Sequence, residues 1–251
     1  MPLILTQEHY SRSAGTYHAS KSPVDKGDSH IFASRGKGSK QSNNIVIGYL
    51  TSGYSTFQLL FHGPKSDHNV DFIRKSILPK IENLKLTDPE SAFFVMHNLL
   101  ESIIKEHKTS HLSGLDFKLG FAITYSYPSH AYCTGFSFDG IKVCIRTKGT
   151  NKLSFNSDEP SRYSYTNFPH LPKHTTVFNL IIAPGDEIVM INHDRNLAFK
   201  PSVTDVKCSL LHSSFVQFKT LQGEQNDTAP SNDWIFGRMI APDSNVLARV
   251  K

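Results

Sequence analysis

The sequence predicts an α+β fold, two packed antiparallel β-sheets flanked by helices in an α-β-β-α sandwich. Two observations carry this expectation. Short β-branched and aromatic runs recur along the chain, divided by tight turn signals. Two amphipathic helical stretches follow one another without a strand between them. Helices segregated from hairpin-rich strands belong to α+β architectures rather than to doubly wound sheets.

The first 20 residues are polar and carry few periodic signals. A strand is expected at 30–33, after Asp28, leading into the Gly/Lys/Ser segment 34–40. The run 44–50 (NIVIGYL) is β-branched and reads as a strand, Thr51-Ser52-Gly53 as a turn, and 56–61 (TFQLLF) as the next strand. His62-Gly63-Pro64 ends it. Val70, Ile73, Ile77, Leu78 and Ile81 recur at helical spacing, so 67–84 reads as one amphipathic helix, with Pro79 near its end. Thr87-Asp88-Pro89-Glu90 has the chemistry of a helix start, with Thr87 or Asp88 as N-cap and proline in the first turn. Apolar residues from Ala92 to Ile104 then form a broad stripe over about four turns, so two long antiparallel helices are expected between 67 and 112.

Strand signals return at 121–127 and 131–138, and Asp139-Gly140 reads as a hairpin turn into 141–146. Residues 151–174 are polar and proline-bearing, a long loop or flap. The runs 177–182 and 187–192 flank Pro184-Gly185-Asp186 as a second hairpin; 202–218 suggests a helix, and 234–240 a closing strand. Repeats, low-complexity blocks and a dividing linker are all absent from the sequence, so one domain over 1–251 is expected.

Composition narrows the function classes. With 38% hydrophobic residues, 17 Phe, and 27 basic against 22 acidic side chains, the chain can build a core. No apolar run is long enough for a membrane span, and the first residues lack the basic and apolar regions of a secretory signal. Cys133, Cys144 and Cys208 are odd in number and widely spaced, which suits a reducing compartment and offers neither a disulfide framework nor a zinc pattern. The expected location is the cytoplasm or, for a pathogen's effector, a host cytosol. The net charge of +5 is scattered, its densest run being SRGKGSK at 34–40, which argues against nucleic acid as partner. The 13 His form no HExxH or comparable ligand pair.

Three acids stand at ends of expected strands: Asp28 before one, Asp194 after another, Asp233 before the last. Carboxylates at sheet ends can converge on a hard divalent cation, and water polarised by such cations attacks phosphoesters. The order of elements and several motifs resemble the metal-dependent protein phosphatase family, type 2C. The matching stretches are Gly27-Asp28-Ser29-His30, the 57–61 strand running into His62-Gly63, Asp139-Gly140, the 182–195 stretch around Pro184-Gly185-Asp186 and Asp194-Arg195, and Asn232-Asp233-Trp234.

That resemblance implies a PPM phosphatase-like domain over 1–251, with a Mg or Mn two-metal cleft between the sheets. Asp28, His62, Gly63, Asp194 and Asp233 would be its metal positions, with Asp139 as an additional acid and the nucleophile a metal-bound water. The departures are as informative. The family's bridging aspartate falls on His62, whose neutral imidazole supplies no bridging charge but could bind one softer metal such as Mn²⁺, Fe²⁺ or Zn²⁺, so the alternatives are a two-metal site, a site reduced to one metal, and a lost site. The family's phosphate-binding arginine has no counterpart, which leaves Lys21 and Lys26 as substitutes. Arg195 stands where the family has glycine, either binding substrate phosphate or neutralising Asp194. Two functions follow: a divergent phosphoester hydrolase acting on a phosphorylated or similarly modified protein, and a pseudophosphatase that binds a protein partner.

Overall fold

The computed structural model describes residues 4–8, 18–21, 29–34, 43–49, 51–52, 55–64, 71–110, 117–127, 130–150, 153–159, 161–166, 168–172, 174–192 and 234–241. In chain order the strands are β1 (Ile4–Glu8), β2 (His18–Lys21), β3 (Ser29–Ser34), β4 (Asn43–Tyr49), β5 (Thr51–Ser52) and β6 (Ser55–Pro64). A π-helical segment (Ile73–Ile77) runs into helix α1 (Leu78–Glu82), and helix α2 (Pro89–Thr109) follows. Then come β7 (Lys118–Tyr127), β8 (His130–Phe138), β9 (Ile141–Arg146), β10 (Leu153–Asn156), β11 (Ser164–Tyr165), β12 (Thr176–Ile182), β13 (Glu187–Asn192) and β14 (Trp234–Ile240).

These strands form the two antiparallel sheets the sequence predicts. One has the order β1-β4-β6-β7-β8-β12-β11, with β5 beside β6; the other has the order β10-β9-β13-β14-β3-β2. Strand alternation divides the core into two layers. Phe57, Leu59 and Phe61 of β6 and Leu119, Phe121 and Ile123 of β7 face the helices, packing with Met96, Leu100 and Ile103 of α2. Leu60 and Ala122 face the other way, joining Ile141, Val143, Ile145, Ile188 and Met190 between the sheets. The sheets approach closely at Gly120, where a Cβ would stand 2.5 Å from Ile141 Cγ2 and 3.2 Å from Met190 Sδ.

Several local expectations are corrected. Strands β1 and β2 lie within the polar first 21 residues, where hydropathy shows no period because short strands at a sheet's margin need little apolar content. The first helix is short: Leu78 N–H donates five residues back to Ile73 O, and Pro79 has no N–H to continue α-helical bonding. Only α2 is long. Its start is as read, with Asp88 as N-cap accepting from Ser91 N–H at 2.7 Å and Pro89 in the first turn. The Ser91 N–H bond holds the Asp88 carboxyl below its ordinary pKa. The flap at 151–174 contains β10 and β11. The helix expected at 202–218 lies outside the described residues.

The largest correction concerns the two turns read as hairpins. Strand β8 pairs with β7 and β12, whereas β9 pairs with β10 and β13. Asp139-Gly140, with φ of 51° and 92°, therefore carries the chain from one sheet to the other. The 183–186 turn does the same between β12 and β13, because β12 pairs with β8 and β11 while β13 pairs with β9 and β14. Among the described residues, no helix is long and apolar enough to cross a membrane.

Candidate active site

The register shows which strand ends meet. In the helix-bearing sheet, Asn43 lies opposite Pro64, Asn44 opposite Gly63, His62 opposite Lys118, and Leu119 opposite Phe138. In the other sheet, Asn192 lies opposite Ile141, Ile191 opposite Phe236, and Trp234 opposite Ser34. The Asp139-Gly140 turn links Phe138 to Ile141, so all of these positions share one end of the sandwich, here termed the mouth.

The far end is closed by the other crossover. Buried Asp186 accepts hydrogen bonds from Ala183 N–H at 2.8 Å and Lys148 N–H at 2.9 Å. Ala241 N–H donates to Asp186 O at 2.8 Å, and Gly185 N–H donates to Ala241 O at 3.0 Å. Arg146 and Glu187, opposite each other in register, form an ion pair in which Arg146 Nε donates to Glu187 Oε2 at 2.6 Å. The Pro-Gly-Asp-Glu stretch that matches the phosphatase motif is structural here.

The expected site residues divide between these ends. His62 and Gly63 close β6 at the mouth, and Asp139 is half-buried there with its backbone in the left-handed region. Asp194 and Asp233 lie outside the described residues, but β13 ends at Asn192 and β14 begins at Trp234, both at the mouth. Asp28, Lys26 and Arg195 also lie outside the described residues. Ser29, the residue after Asp28, pairs with Met239, five residues from the Ser34–Trp234 pair. That is about 17 Å along the strand, toward the far end. Asp28, Asp194 and Asp233 all lie outside the described residues; of their described neighbours, Ser29 lies toward the far end, and Asn192 and Trp234 lie at the mouth. Lys21 pairs with His30 and so lies toward the same far end.

Sequence reading missed two features of the mouth. The β4–β6 hairpin brings Asn43-Asn44 opposite Pro64-Gly63, and the turn signal at Thr51-Ser52-Gly53 could have predicted that pairing. Lys118, the partner of His62, alternates with Gly120 and Ala122 and so faces the layer between the sheets. It is half-buried and pairs with no carboxylate among the described residues. Without a tertiary partner to register against, Lys118 reads in the sequence as one surface lysine among many.

Cysteine chemistry finds no support. Cys133 and Cys144 are buried free thiols whose pKa is pushed up by burial, that of Cys144 to about 12, so neither is a thiolate near neutrality. No group of three or more His, Cys, Asp or Glu that could hold a metal is found among the described residues.

Comparison with known proteins places this geometry. A family model described as the catalytic domain of SidD matches residues 6–196. Solved structures share the fold. The RsbU and RsbW domains of a Mycobacterium tuberculosis protein superpose with a TM-score of 0.53 at 13% identity, over 89% of this chain and 64% of that one. A bacterial serine phosphatase gives 0.51 at 10% identity, over 86% and 98%. The M. tuberculosis serine/threonine phosphatase PstP/Ppp gives 0.51 at 7% identity, over 86% and 99%. No curated protein matches the chain by sequence. At these identities the structural likeness is one of fold: a divergent PPM-like sandwich.

Proposed function

Since the chain belongs to the SidD catalytic-domain family, we propose that it is a divergent, metal-assisted phosphoester hydrolase acting on a phosphorylated or similarly modified protein, with its chemistry at the mouth. One observation carries this reading: the register that brings the ends of β6, β7, β13 and β14 together around the Asp139-Gly140 crossover. The pairing of β3 with β14, from opposite parts of the chain, supports a single domain.

The donor set fits one hard cation better than two. Asp194 and Asp233, extending from adjacent strand ends, would hold Mg or Mn, with Asp139, the Gly63 carbonyl and His62 beside them. His62 cannot supply the anionic bridge that two like-charged metals need. When bound, the metal supplies a Lewis acid and an activated water. The backbone register sets Asn43 and Asn44 of β4 opposite Pro64 and Gly63 at the mouth. Lys118 offers an ammonium to the phosphoryl oxygens from within the inter-sheet layer, where a point charge is little screened. Ser34 and Asn43, the described residues on either side of the basic segment 35–42, stand at the mouth, while Arg35, Lys37 and Lys40 lie outside the described residues.

A second reading, a pseudophosphatase that binds a protein partner, is favoured by the absent bridging acid at His62 and by the displacement of β3's first residue toward the far end. Calorimetric titration with Mn²⁺ and Mg²⁺, coupled to hydrolysis of p-nitrophenyl phosphate and bis-p-nitrophenyl phosphate, separates the two. Saturable metal binding with metal-dependent release of p-nitrophenol is the expected result. Binding without turnover selects the pseudophosphatase, and the absence of both contradicts the metal centre.

A further inference from the structure

A second concave site lies on the outer face of the helix-bearing sheet, between α2 and the segment around β11. Its volume is about 640 Å³. One wall is a single face of α2, since Phe94, His97 and Glu101 recur at three- and four-residue steps. The other is Tyr165 and Phe168, whose rings meet edge to face at 4.9 Å. His97 ties the walls together, stacking on Phe168 at 5.2 Å while its Nε2 lies 3.3 Å from Glu101 Oε1.

Two properties of this cleft call for an occupant. Phe94 is 72% exposed and Tyr165 53%; Ile181 is the remaining exposed large apolar side chain among the described residues. Water contact at both rings is costly unless something covers them. Second, the chain has 27 Lys and Arg, yet the described lining of this cleft contains none, while it does contain the carboxylate of Glu101. Aromatic faces beside an acid, with no lysine or arginine among the described lining residues, complement a planar organic cation. Guanidinium matches both parts: it stacks on a ring and donates in the ring plane to a carboxylate, which the compact, strongly hydrated ammonium of lysine does less well.

We propose that this cleft docks an arginine side chain, flanked by apolar residues, of a protein partner. The floor of the cleft includes Val177, which pairs with Phe136, two residues before β8 ends at the mouth. An arginine held here would therefore fix the partner about 7 Å along the strand from the mouth, on the outside of the same sheet. The docking needs only the fold and the cleft, so it does not depend on hydrolysis at the mouth.

The test uses the full chain and two peptides, acetyl-Leu-Arg-Leu-amide and its citrulline counterpart, followed by chemical-shift titration. The expected result is saturable binding of the arginine peptide, about tenfold tighter than the citrulline one. Glu101→Gln and Phe94→Ala should each weaken the arginine peptide about fivefold or more. Both sites are exposed, so the variants should fold, and Ile181→Ala should bind as the parent does. Equal affinity for the two peptides, no saturable binding of either, or indifference to Glu101→Gln would overturn the proposal. None of these outcomes bears on metal-dependent phosphoester hydrolysis, which the titration and turnover assay described above decides separately.

Discussion

The two tight turns that cross between the sheets make an instructive pair. Each contains an aspartate beside a glycine, and each joins a strand of one sheet to a strand of the other. At the far end, Asp186 is buried and both carboxylate oxygens accept backbone N–H bonds. That aspartate is a fastening. At the mouth, Asp139 is half-buried in the left-handed region, and around it the register gathers His62, Gly63, Lys118, Asn44 and the strand ends leading to Asp194 and Asp233. An aspartate-glycine turn acquires chemistry from the strand ends around it, not from its own sequence.

Substitutions at the two ends should therefore do different things. The largest effect is expected at the mouth, where Asp194→Asn or Asp233→Asn should lower metal-dependent hydrolysis of p-nitrophenyl phosphate by about 100-fold or more, since on the proposed reading each removes a charge that would hold the cation. Urea melts of the apo proteins should change little. Substantial residual turnover in both variants would move the metal elsewhere.

At the far end, Asp186→Ala leaves two backbone N–H groups without acceptors and should cost about 2–3 kcal/mol of stability, read from urea melts, with Mn²⁺ affinity kept. If this variant melted like the parent, the fastening role would be wrong. Between the ends, Gly120→Ala drives a methyl toward Ile141 and Met190 and should cost about 1–2 kcal/mol. Restoring acid at the mouth by His62→Asp should increase the thermal shift produced by Mn²⁺, and Arg195→Gly should add to it. An unchanged metal-induced shift in the double variant would show that His62 does not stand where the bridging charge belongs.

A smaller effect separates the helical layer from both ends. His107 packs against Phe72 and Phe117, and burial holds its pKa below the ordinary 6.5. Below that pH the unfolded chain binds a proton that the folded one resists, so stability should fall as pH drops through 6.5 and below. His107→Phe should flatten this slope in thermal melts between neutral and mildly acid pH, without altering metal binding. An identical slope in the variant would assign the pH dependence to other groups.

Much of the fold was legible because its signals are local. The Asp88-Pro89 helix start, the apolar stripe from Ala92 to Ile104 and the strand runs 177–182 and 187–192 each carry their own period or capping chemistry. What was not legible depends on partners distant in sequence. The Asp139-Gly140 turn has hairpin chemistry, but Ile141 turns away to pair with Asn192 because β8 is already flanked by β7 and β12. The same holds for the site. His62, Gly63, Asp139, Asp194 and Asp233 are proposed from motif order, and the register sets the ends of β6, β13 and β14 at the mouth. Asp28 comes from the same motif order and from its place before an expected strand, and Lys21 from the lack of a counterpart to the family's phosphate-binding arginine; the pairing of β3 with β14 places Ser29 toward the other end. Asn44 reads as the first residue of the 44–50 strand and Asn43 as the residue before it, so nothing local marks either as lying at the mouth.

The central claim, that one end of this sandwich binds a catalytic cation and the other only holds the sheets together, is open to one direct measurement. Substoichiometric Mn²⁺ added to the ¹⁵N-labelled full chain broadens amide signals steeply with proximity to the bound ion. The two ends lie roughly 20 Å apart along β13, by strand rise. Lys118, Phe138, Asp139 and Gly140 should lose their signals first, while Lys148, Gly185, Asp186 and Ala241 keep theirs at the same Mn²⁺ concentration. Broadening centred on Gly185 and Asp186, or spread evenly over both ends, would contradict that claim.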